Sequence, residues 1–453
     1  MSDLSHATDE EMRRAVVRKV ARRLIPLMGL MYFVNYLDRT NIGFAKLTMS
    51  EDLGLTEAMF GLASGLFFIG YLLFEVPSNL ALHKFGARIW MARILVTWGA
   101  VASAMAFVPT PGWLYGLRVL LGIAEAGFFP GMILYLTYWL PRADRVRMTG
   151  YFLLAIPISS VVGAPLSTTL MQVMDGVMGF AGWRWMFFLQ GLPAIVLAGF
   201  AIAFLTDRPK DAKWLSEHER TWLQNRLDTE ARDTASTHHW PLKSSLTNPR
   251  IIGLGLIYFG TTYGLYALSF FLPTIVRGFS QMFGRSYSLI ETGLIVAVPY
   301  AIAAVVMVWW AHHSDHTKER VWHVAGPLLL AAVSVPVALM LQSPFLVMVA
   351  VTLTAIGIFC ALPVFWYLPT NFLTGASAAG GIALINTLGN ASGFAAPYAT
   401  GLIKDATGGF GVAMWVVGGF LAMAAILALV LGAAPKPKAP AQPDDVTARM
   451  ETP

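Results

Sequence analysis

The sequence predicts an all-α integral membrane protein with twelve transmembrane helices in two six-helix bundles. Of its 453 residues, 56% are hydrophobic and only 13% are charged, whereas about a quarter of the residues in a soluble domain are charged. Twelve apolar segments approach or exceed the roughly 20 residues that cross a bilayer as a helix. One long charged segment, 206–250, separates the first six from the last six.

The hydropathy pattern also predicts where each element lies. The twelve helices are expected at 24–44, 58–80, 89–108, 113–139, 149–171, 184–205, 251–275, 289–311, 321–342, 345–368, 377–403 and 412–433. The chain is thereby divided, in order, into a cytoplasmic tail, an N-terminal bundle, a cytoplasmic linker, a C-terminal bundle and a second cytoplasmic tail: 1–23, 24–205, 206–250, 251–433 and 434–453.

The loop charges predict the orientation of the chain. Of the 32 Lys and Arg residues, 25 fall in the two tails and the loops on their side, and 5 fall in loops on the opposite side. Because cytoplasmic loops carry the excess of basic residues, both termini are expected in the cytoplasm, with the chain in the cell inner membrane. The same asymmetry accounts for the net charge of +6. The lipid bilayer is therefore the expected partner, with no nucleic acid and no obligatory protein partner.

Two loops at equivalent positions of the halves carry related charged sequences. "NLALHKFGAR" follows the second helix and "AHHSDHTKER" follows the eighth. Both are similar in part to the G-x-x-x-D-R-x-G-R-R loop of the major facilitator superfamily, whose charged residues clamp neighbouring helices at the inner face. The resemblance implies a structural gating role for Lys84, Arg88, Asp315 and Arg320. The histidines beside Asp315 are interpreted as part of a solvated loop, so no metal is assigned.

Charged residues deep inside predicted helices are confined to the first half: Asp38, Arg39, Glu75, Arg118 and Glu125. Charges at this depth are costly in lipid, and those that persist usually line a cavity or a pathway. At 1.5 Å per residue, the two arginines are expected at similar heights, with Glu125 near mid-membrane. Arg118 and Glu125 are seven residues apart, which places them on one face of the fourth helix.

These charges have a structural and a functional interpretation. They can hold the first and fourth helices together, although desolvation can cancel the attraction of a buried ion pair. Alternatively, Arg39 and Arg118 bind a substrate carboxylate, because arginine stays charged and holds carboxylates with two parallel bonds. Asp38 and Glu125 then exchange protons, since burial favours the neutral acid and a nearby arginine favours the ionised acid. Glu75 is interpreted as an inter-helix clamp.

Neutral polar residues complete the candidate site. Tyr71, near the middle of the second helix, can bond a substrate oxygen or simply pack through its ring. Asn386 and Asn390 are four residues apart on the eleventh helix, where they can face a cavity or bond a neighbouring helix. The residue pattern leaves both alternatives open for each of the three.

Several segments resemble the anion:cation symporter family of the major facilitator superfamily, over about residues 20–433: "NYLDRTNIG", "GYLLFEVPSNL", "RVLLGIAEAGFFPG", "GWRWMFFLQGLPA" and "ALINTLGNASGF". Members carry organic acids such as galactonate, hexuronates, tartrate, phthalate and nicotinate. The segment "FEVPSNLALHKFGAR" is most similar to the tartrate and aromatic-acid branch.

The resemblance implies roles for individual positions. The proton-coupling acids correspond to Asp38 and Glu125. The substrate contacts correspond to Arg39, Arg118, Tyr71 and to Asn386 or Asn390. The fifth helix departs from the pattern, because galactonate carriers have a glutamine there and this chain has only Ser159 and Ser160. That difference favours a less hydroxylated or aromatic acid over a sugar acid.

The expected function is import of a small organic carboxylate together with protons, by alternating access and without a cofactor. The carboxylate is expected to be tartrate-like, a sugar acid or an aromatic acid. A uniporter or anion exchanger that uses the same arginines is the alternative. A membrane enzyme or nutrient sensor is a remote alternative, because the helices show no nucleophile–base pair, no metal spacing and no phosphate loop.

Overall fold

The computed structural model describes residues 2–235, 248–284, 286–372 and 376–433, and every regular element in these ranges is a helix. The predicted all-α fold is therefore confirmed. The predicted C-terminal tail, 434–453, and residues 236–247 of the predicted linker lie outside the described residues.

The N-terminal half and the described linker contain α1 (Ser2–Thr40), α2 (Ile42–Leu53), α3 (Glu57–Phe85), α4 (Ala87–Ala104), α5 (Pro111–Glu125), α6 (Phe128–Thr137), α7 (Arg142–Leu153), α8 (Ala155–Val173), α9 (Gly182–Phe204) and α10 (Glu217–Ala235). The C-terminal half contains α11 (Pro249–Phe283), α12 (Leu289–Thr317), α13 (Val321–Ala338), α14 (Pro344–Phe365), α15 (Tyr367–Phe372), α16 (Ala376–Thr407) and α17 (Gly411–Ala433). The pairs α1–α2, α5–α6, α7–α8 and α14–α15 each make one broken crossing. The described ranges therefore contain twelve crossings, six in each half.

Ten crossings within the described ranges are long and apolar enough to span a membrane. The remaining two are α1 and α16. Their polar residues lower the mean hydropathy, since α1 carries Asp38 and Arg39 and α16 carries Asn386 and Asn390. Both helices line the central cavity described below. The two least apolar crossings therefore both face the middle of the protein, where polar side chains are tolerated.

The first helix is longer than the apolar pattern predicts, because α1 begins at Ser2 instead of near residue 24. Val16, Val17 and Val20 form a buried apolar stripe on the added turns. Lys19 pairs with Glu219 of α10 at 2.6 Å, which holds the linker helix against α1. This end of the bundle is called the inner end below, because the loop charges predict it to be cytoplasmic, and the opposite end is called the outer end.

The two halves meet closely at the outer end. A Cβ atom added to Gly61 of α3 would lie 2.3 Å from the carbonyl oxygen of Pro397 in α16, so only glycine permits this helix contact. Asp405 of α16 accepts a hydrogen bond from the backbone N–H of Ala58 at 2.8 Å. Glu57 pairs with Lys404 across the same interface. These contacts close the outer end above the central cavity.

Candidate functional site

A cavity of about 100 Å³ lies between the halves. The N-terminal half contributes Tyr32, Tyr36, Arg39 and Tyr71 to its wall, and the C-terminal half contributes Tyr258, Thr262, Tyr266, Trp366, Asn386 and Asn390. The structure thus brings four of the five predicted substrate-binding residues to one cavity: Arg39, Tyr71, Asn386 and Asn390. The fifth, Arg118, does not belong to the wall.

Arg39 forms a buried ion pair with Glu125. The Nη2 atom of Arg39 lies 2.6 Å from Oε2 of Glu125, and the two side chains are 7% and 0% exposed. The guanidinium carbon lies 5.1 Å from the ring centroid of Phe67 and 5.3 Å from that of Tyr71. Aromatic faces attract a desolvated cation. One carboxylate and two rings therefore hold a positive charge at the edge of the cavity.

A break in the fourth crossing positions Glu125, the last residue of α5. Two residues later, Gly127 has φ +82°, a left-handed conformation that glycine adopts without steric cost. A Cβ at this position would also lie 2.4 Å from Oγ of Ser78. The glycine lets the chain restart as α6 in a new direction while the Glu125 carboxylate stays directed at Arg39.

Asp38 occupies a different environment from Arg39. Its Oδ2 accepts a hydrogen bond from the indole N–H of Trp98 at 2.9 Å, and its Oδ1 lies 3.4 Å from Nδ2 of Asn41. Asn41 also donates to Gln190 of α9, at 3.1 Å. Consecutive helical residues point about 100° apart, so Asp38 faces α4 and α9 while Arg39 faces the cavity. Within the described ranges, no basic side chain forms an ion pair with Asp38.

Arg118 is fully buried beneath the cavity wall. Its Nε donates to the carbonyl of Ala63 at 3.2 Å and its Nη2 to that of Ser64 at 3.4 Å, both in α3. Its guanidinium carbon lies 5.1 Å from the ring of Phe67, the same ring that Arg39 contacts. In this conformation Arg118 holds α5 against α3, and its predicted contact with substrate stays a prediction.

Glu75 links the two halves nearer the inner end. Its Oε1 accepts a hydrogen bond from Nδ2 of Asn386 at 2.8 Å. Asn386 therefore contacts both the cavity and an acid of the opposite half. This geometry accommodates the predicted clamp role of Glu75 and the predicted cavity role of Asn386 together.

The charged loops at the inner end differ from one another. In the first loop the side chains of Lys84 and Arg88 are exposed. In the second loop Arg320 pairs with Asp315 at 2.8 Å, and its guanidinium carbon lies 4.1 Å from the ring of Tyr367. The second loop is thereby fastened to the inner end of the tenth crossing. The gating role of the four residues stays a prediction.

The two serines of the fifth crossing satisfy their hydrogen bonds locally. Both Ser159 and Ser160 donate to the carbonyl oxygen of Ile156, at 2.8 and 3.3 Å. Neither serine lines the cavity, whereas Ile156 and Pro157 do. The wall contributed by this crossing is therefore apolar.

Sequence reasoning found Tyr71 but missed the other cavity tyrosines, Tyr32, Tyr36, Tyr258 and Tyr266, and the partners of Asp38. Tyr32, Tyr36 and Arg39 follow one another at intervals of four and three, which is the spacing of one helix face, and this signal was available in the sequence. Trp98 and Gln190 carried no comparable signal. Their importance depends on which helices neighbour α1, and hydropathy does not encode that.

Twelve crossings in the described ranges, arranged as two halves around a cavity, are the architecture of a membrane transporter. The Major Facilitator Superfamily profile matches residues 28–397. A "Putative tartrate transporter" of Agrobacterium vitis is 48% identical over 429 residues, covering 95% of this chain and 94% of that protein. A "Quinolone resistance transporter" of Acinetobacter baumannii is 39% identical over 421 residues, covering 93% and 95%.

The chain belongs to the Major Facilitator Superfamily. Among solved structures, a bacterial homolog of the human lysosomal transporter Spinster, in an inward-facing and unoccupied conformation, shares the fold with a TM-score of 0.73. The two chains are 17% identical, and the similarity covers 91% of this chain and 97% of that one. The family, the multi-pass fold and the assignment as a transporter rather than an enzyme are thus confirmed.

Proposed function

We propose that the protein imports a small organic carboxylate together with protons across a bacterial inner membrane. The observation that carries this proposal is the position of Arg39 at the cavity wall, buried and paired with the carboxylate of Glu125. The relative named as a tartrate transporter makes tartrate the first compound to test, followed by sugar acids and aromatic acids.

The ion pair couples the proton to the anion. Arginine remains protonated and binds carboxylates through two parallel donors, so Arg39 is suited to the substrate. Glu125 occupies that guanidinium in the described conformation. Protonation of Glu125 removes the competing negative charge, and the substrate carboxylate takes its place. Proton binding at Glu125 and anion binding at Arg39 therefore favour each other.

Alternating access turns this exchange into transport. With the cavity open outward, Glu125 and Asp38 take up protons and Arg39 binds the anion. The halves rock about the site, and the more alkaline interior removes the protons and releases the anion. Arg118 contributes positive potential from behind Phe67. Tyr71, Asn386 and Asn390 bond the neutral oxygens of the substrate.

Rocking of the halves requires contacts that form and break at the inner end, and the charged loops are placed to make them. We assign structural gating to Glu75, Lys84, Arg88, Asp315 and Arg320. The excess of basic residues on that side supports cytoplasmic termini. The bundle limits of 24–205 and 251–433 define the two moving bodies.

A uniporter or exchanger is the alternative, in which Arg39 binds the anion and no change in the protonation of Glu125 is coupled to transport. One relative is named as a quinolone resistance transporter, so this alternative also includes transport in the outward direction. Proteoliposomes separate the cases. A symporter accumulates substrate when the interior is alkaline, whereas an exchanger ignores pH and needs anion on the opposite side.

The test is uptake of radiolabelled tartrate, then of other small carboxylates, into proteoliposomes with an alkaline interior. One proton per anion predicts about tenfold accumulation per pH unit, because one pH unit is worth about 1.4 kcal/mol. Before this, a thermal-shift screen of carboxylates at two pH values identifies the ligand, since a ligand stabilises the state it binds.

Glu125→Gln should abolish pH-driven accumulation while substrate exchange survives, because the amide cannot release a proton. Glu217→Gln is the matched control, since Glu217 is an exposed acid on α10 whose side chain is 84% accessible. Normal accumulation by the Glu125→Gln variant would show that the proton is coupled elsewhere.

A further inference from the structure

A groove on the outside of the N-terminal half lies away from the transport pathway. It runs along α4 and α9 at the inner end and encloses about 610 Å³. It is lined by basic, hydroxyl, acidic and apolar side chains: Arg88, Ile89, Ala92, Arg93, Val96, Thr97, Ile202 and Asp207. We propose that this groove binds an anionic phospholipid, with its phosphate on the two arginines and an acyl chain along the apolar wall.

The apolar wall faces lipid. Ile89, Val96 and Ile202 are 63%, 44% and 48% exposed, although all three belong to membrane-spanning helices. Ile89, Arg93 and Val96 are separated by four and three residues, so they share one face of α4. Exposed apolar surface on a spanning helix is in contact with acyl chains. The groove therefore offers a chain-binding wall beside a basic residue.

Arg93 lies at a depth where its guanidinium can reach the phosphate of a lipid. It is six residues into α4, about 9 Å from the start of the helix. Its guanidinium carbon lies 4.1 Å from the ring centroid of Trp90, and its Nη1 is 3.5 Å from Oγ1 of Thr97. Its Nε is buried without a hydrogen-bond partner in the described part of the chain. A planar donor group with spare N–H bonds at this depth suits a phosphate.

The charge balance of the groove favours an anion. Asp207 is its acidic residue, and Oδ1 of Asp207 accepts the backbone N–H of Arg88 at 2.9 Å. The carboxylate thus caps the first turn of α4, while the Arg88 side chain is exposed. Two guanidinium groups against one carboxylate leave the groove with net positive charge. An anionic headgroup is therefore preferred over a zwitterionic one.

Helix packing limits the groove to one leaflet. A Cβ added to Gly99 of α4 would lie 2.7 Å from the carbonyl oxygen of Gly191 in α9, so the two helices touch there. Gly99 is twelve residues into α4, about 18 Å from its start. The hydrocarbon core of a bilayer is about 30 Å thick. The groove therefore ends near the bilayer centre, which matches the length of a single lipid.

The test uses the purified full-length protein, titrated with phosphatidylglycerol or with phosphatidylcholine of the same acyl chains. Native mass spectrometry counts the bound lipids, and thermal unfolding follows stabilisation. The wild type should prefer phosphatidylglycerol. Arg88→Gln and Arg93→Gln should each weaken the binding of phosphatidylglycerol by about fivefold and leave the binding of phosphatidylcholine unchanged.

Arg184→Gln is the matched control, because Arg184 also stacks on a tryptophan, 4.3 Å from the ring of Trp183, but lies outside the groove. It should leave the lipid preference intact. Because Arg88 is exposed, its variant keeps the test valid even if Arg93→Gln does not fold. Equal binding of the two lipids to the wild type, or an unchanged preference in the Arg88→Gln protein, overturns the proposal.

Discussion

The two halves of the molecule contribute opposite chemistry to one cavity. The N-terminal half supplies the ion pair of Arg39 and Glu125, whereas the cavity wall of the C-terminal half consists of aromatic, hydroxyl, amide and apolar side chains. Tyr266 of the C-terminal half lies beside Arg39, where its hydroxyl oxygen accepts a hydrogen bond from the guanidinium. The difference indicates that charge is handled within one half, so the other can move past it without breaking a buried ion pair.

The linker reinforces this asymmetry, because α10 is fastened to the N-terminal half. Lys19 pairs with Glu219, and the indole N–H of Trp222 donates to Asp9 at 2.6 Å. Farther along α10, Glu230 lies 3.5 Å from Arg145 of α7. In the proposed rocking motion, the linker helix therefore belongs to the N-terminal body.

The largest expected effect comes from removing the positive charge of the cavity. Arg39→Gln should lower carboxylate uptake at least about a hundredfold, because it removes a bidentate, charge-assisted partner of the substrate. It also leaves Glu125 buried without a cation, which destabilises the fold. The double variant Arg39→Gln/Glu125→Gln should recover stability but not uptake. Uptake that recovers in the double variant would remove Arg39 from the substrate site.

Replacement of Asp38 shows whether one or two acids of the N-terminal half carry protons. Asp38→Asn keeps an oxygen that can accept the Trp98 indole N–H, so the fold should survive. If Asp38 carries a second proton, the wild type should accumulate substrate about a hundredfold per pH unit and the variant only about tenfold, while exchange continues. Accumulation at the wild-type level would reduce Asp38 to a structural link between α1 and α4.

A smaller effect is expected in the C-terminal half. Asn390→Ala removes one neutral hydrogen bond from the cavity wall, which is worth about 1 kcal/mol. The KM for the carboxylate should therefore rise about fivefold, with the pH dependence of accumulation unchanged. A change in proton coupling in this variant would contradict the conclusion that charge is handled within the N-terminal half. Tyr71→Phe removes one hydroxyl from the cavity wall of the N-terminal half, and the KM of this variant provides the comparison.

The smallest effect is expected at the linker. Burial alone would raise the pKa of Glu219, but hydrogen bonds from Lys19 and from the backbone N–H of Ser216 outweigh it and lower the pKa. The contribution of Glu219 to stability is therefore present above the ordinary carboxyl value of about 4.3 and is lost as the pH falls through the lowered pKa. Because Lys19 is largely exposed, Glu219→Gln should cost less than about 1 kcal/mol. Thermal unfolding at pH 7 and at acidic pH measures it, and an equal loss at both would exclude the ionic contribution.

Properties that belong to a single helix could be predicted from the sequence. The number of crossings follows from hydropathy, and the confinement of deep charges to the first half follows from simple inspection. Arg39, Tyr71, Asn386 and Asn390 line one cavity, because a polar residue in an apolar span faces the protein interior. The extension of α1 to Ser2 was missed, since its turns are amphipathic and pack on α10 instead of lipid.

Only the tertiary structure decided which side chains meet. Asp38 and Arg39 are adjacent in sequence but point to different neighbours, and Glu125 reaches Arg39 from another crossing. Arg118 is directed at backbone carbonyls of α3 and does not line the cavity, which its spacing along the helix could not reveal. Hydropathy and spacing describe one helix at a time. The rotation of each helix and its choice of neighbours depend on close packing between helices, such as the glycine contacts of α3 with α16, and this information is distributed over the whole chain.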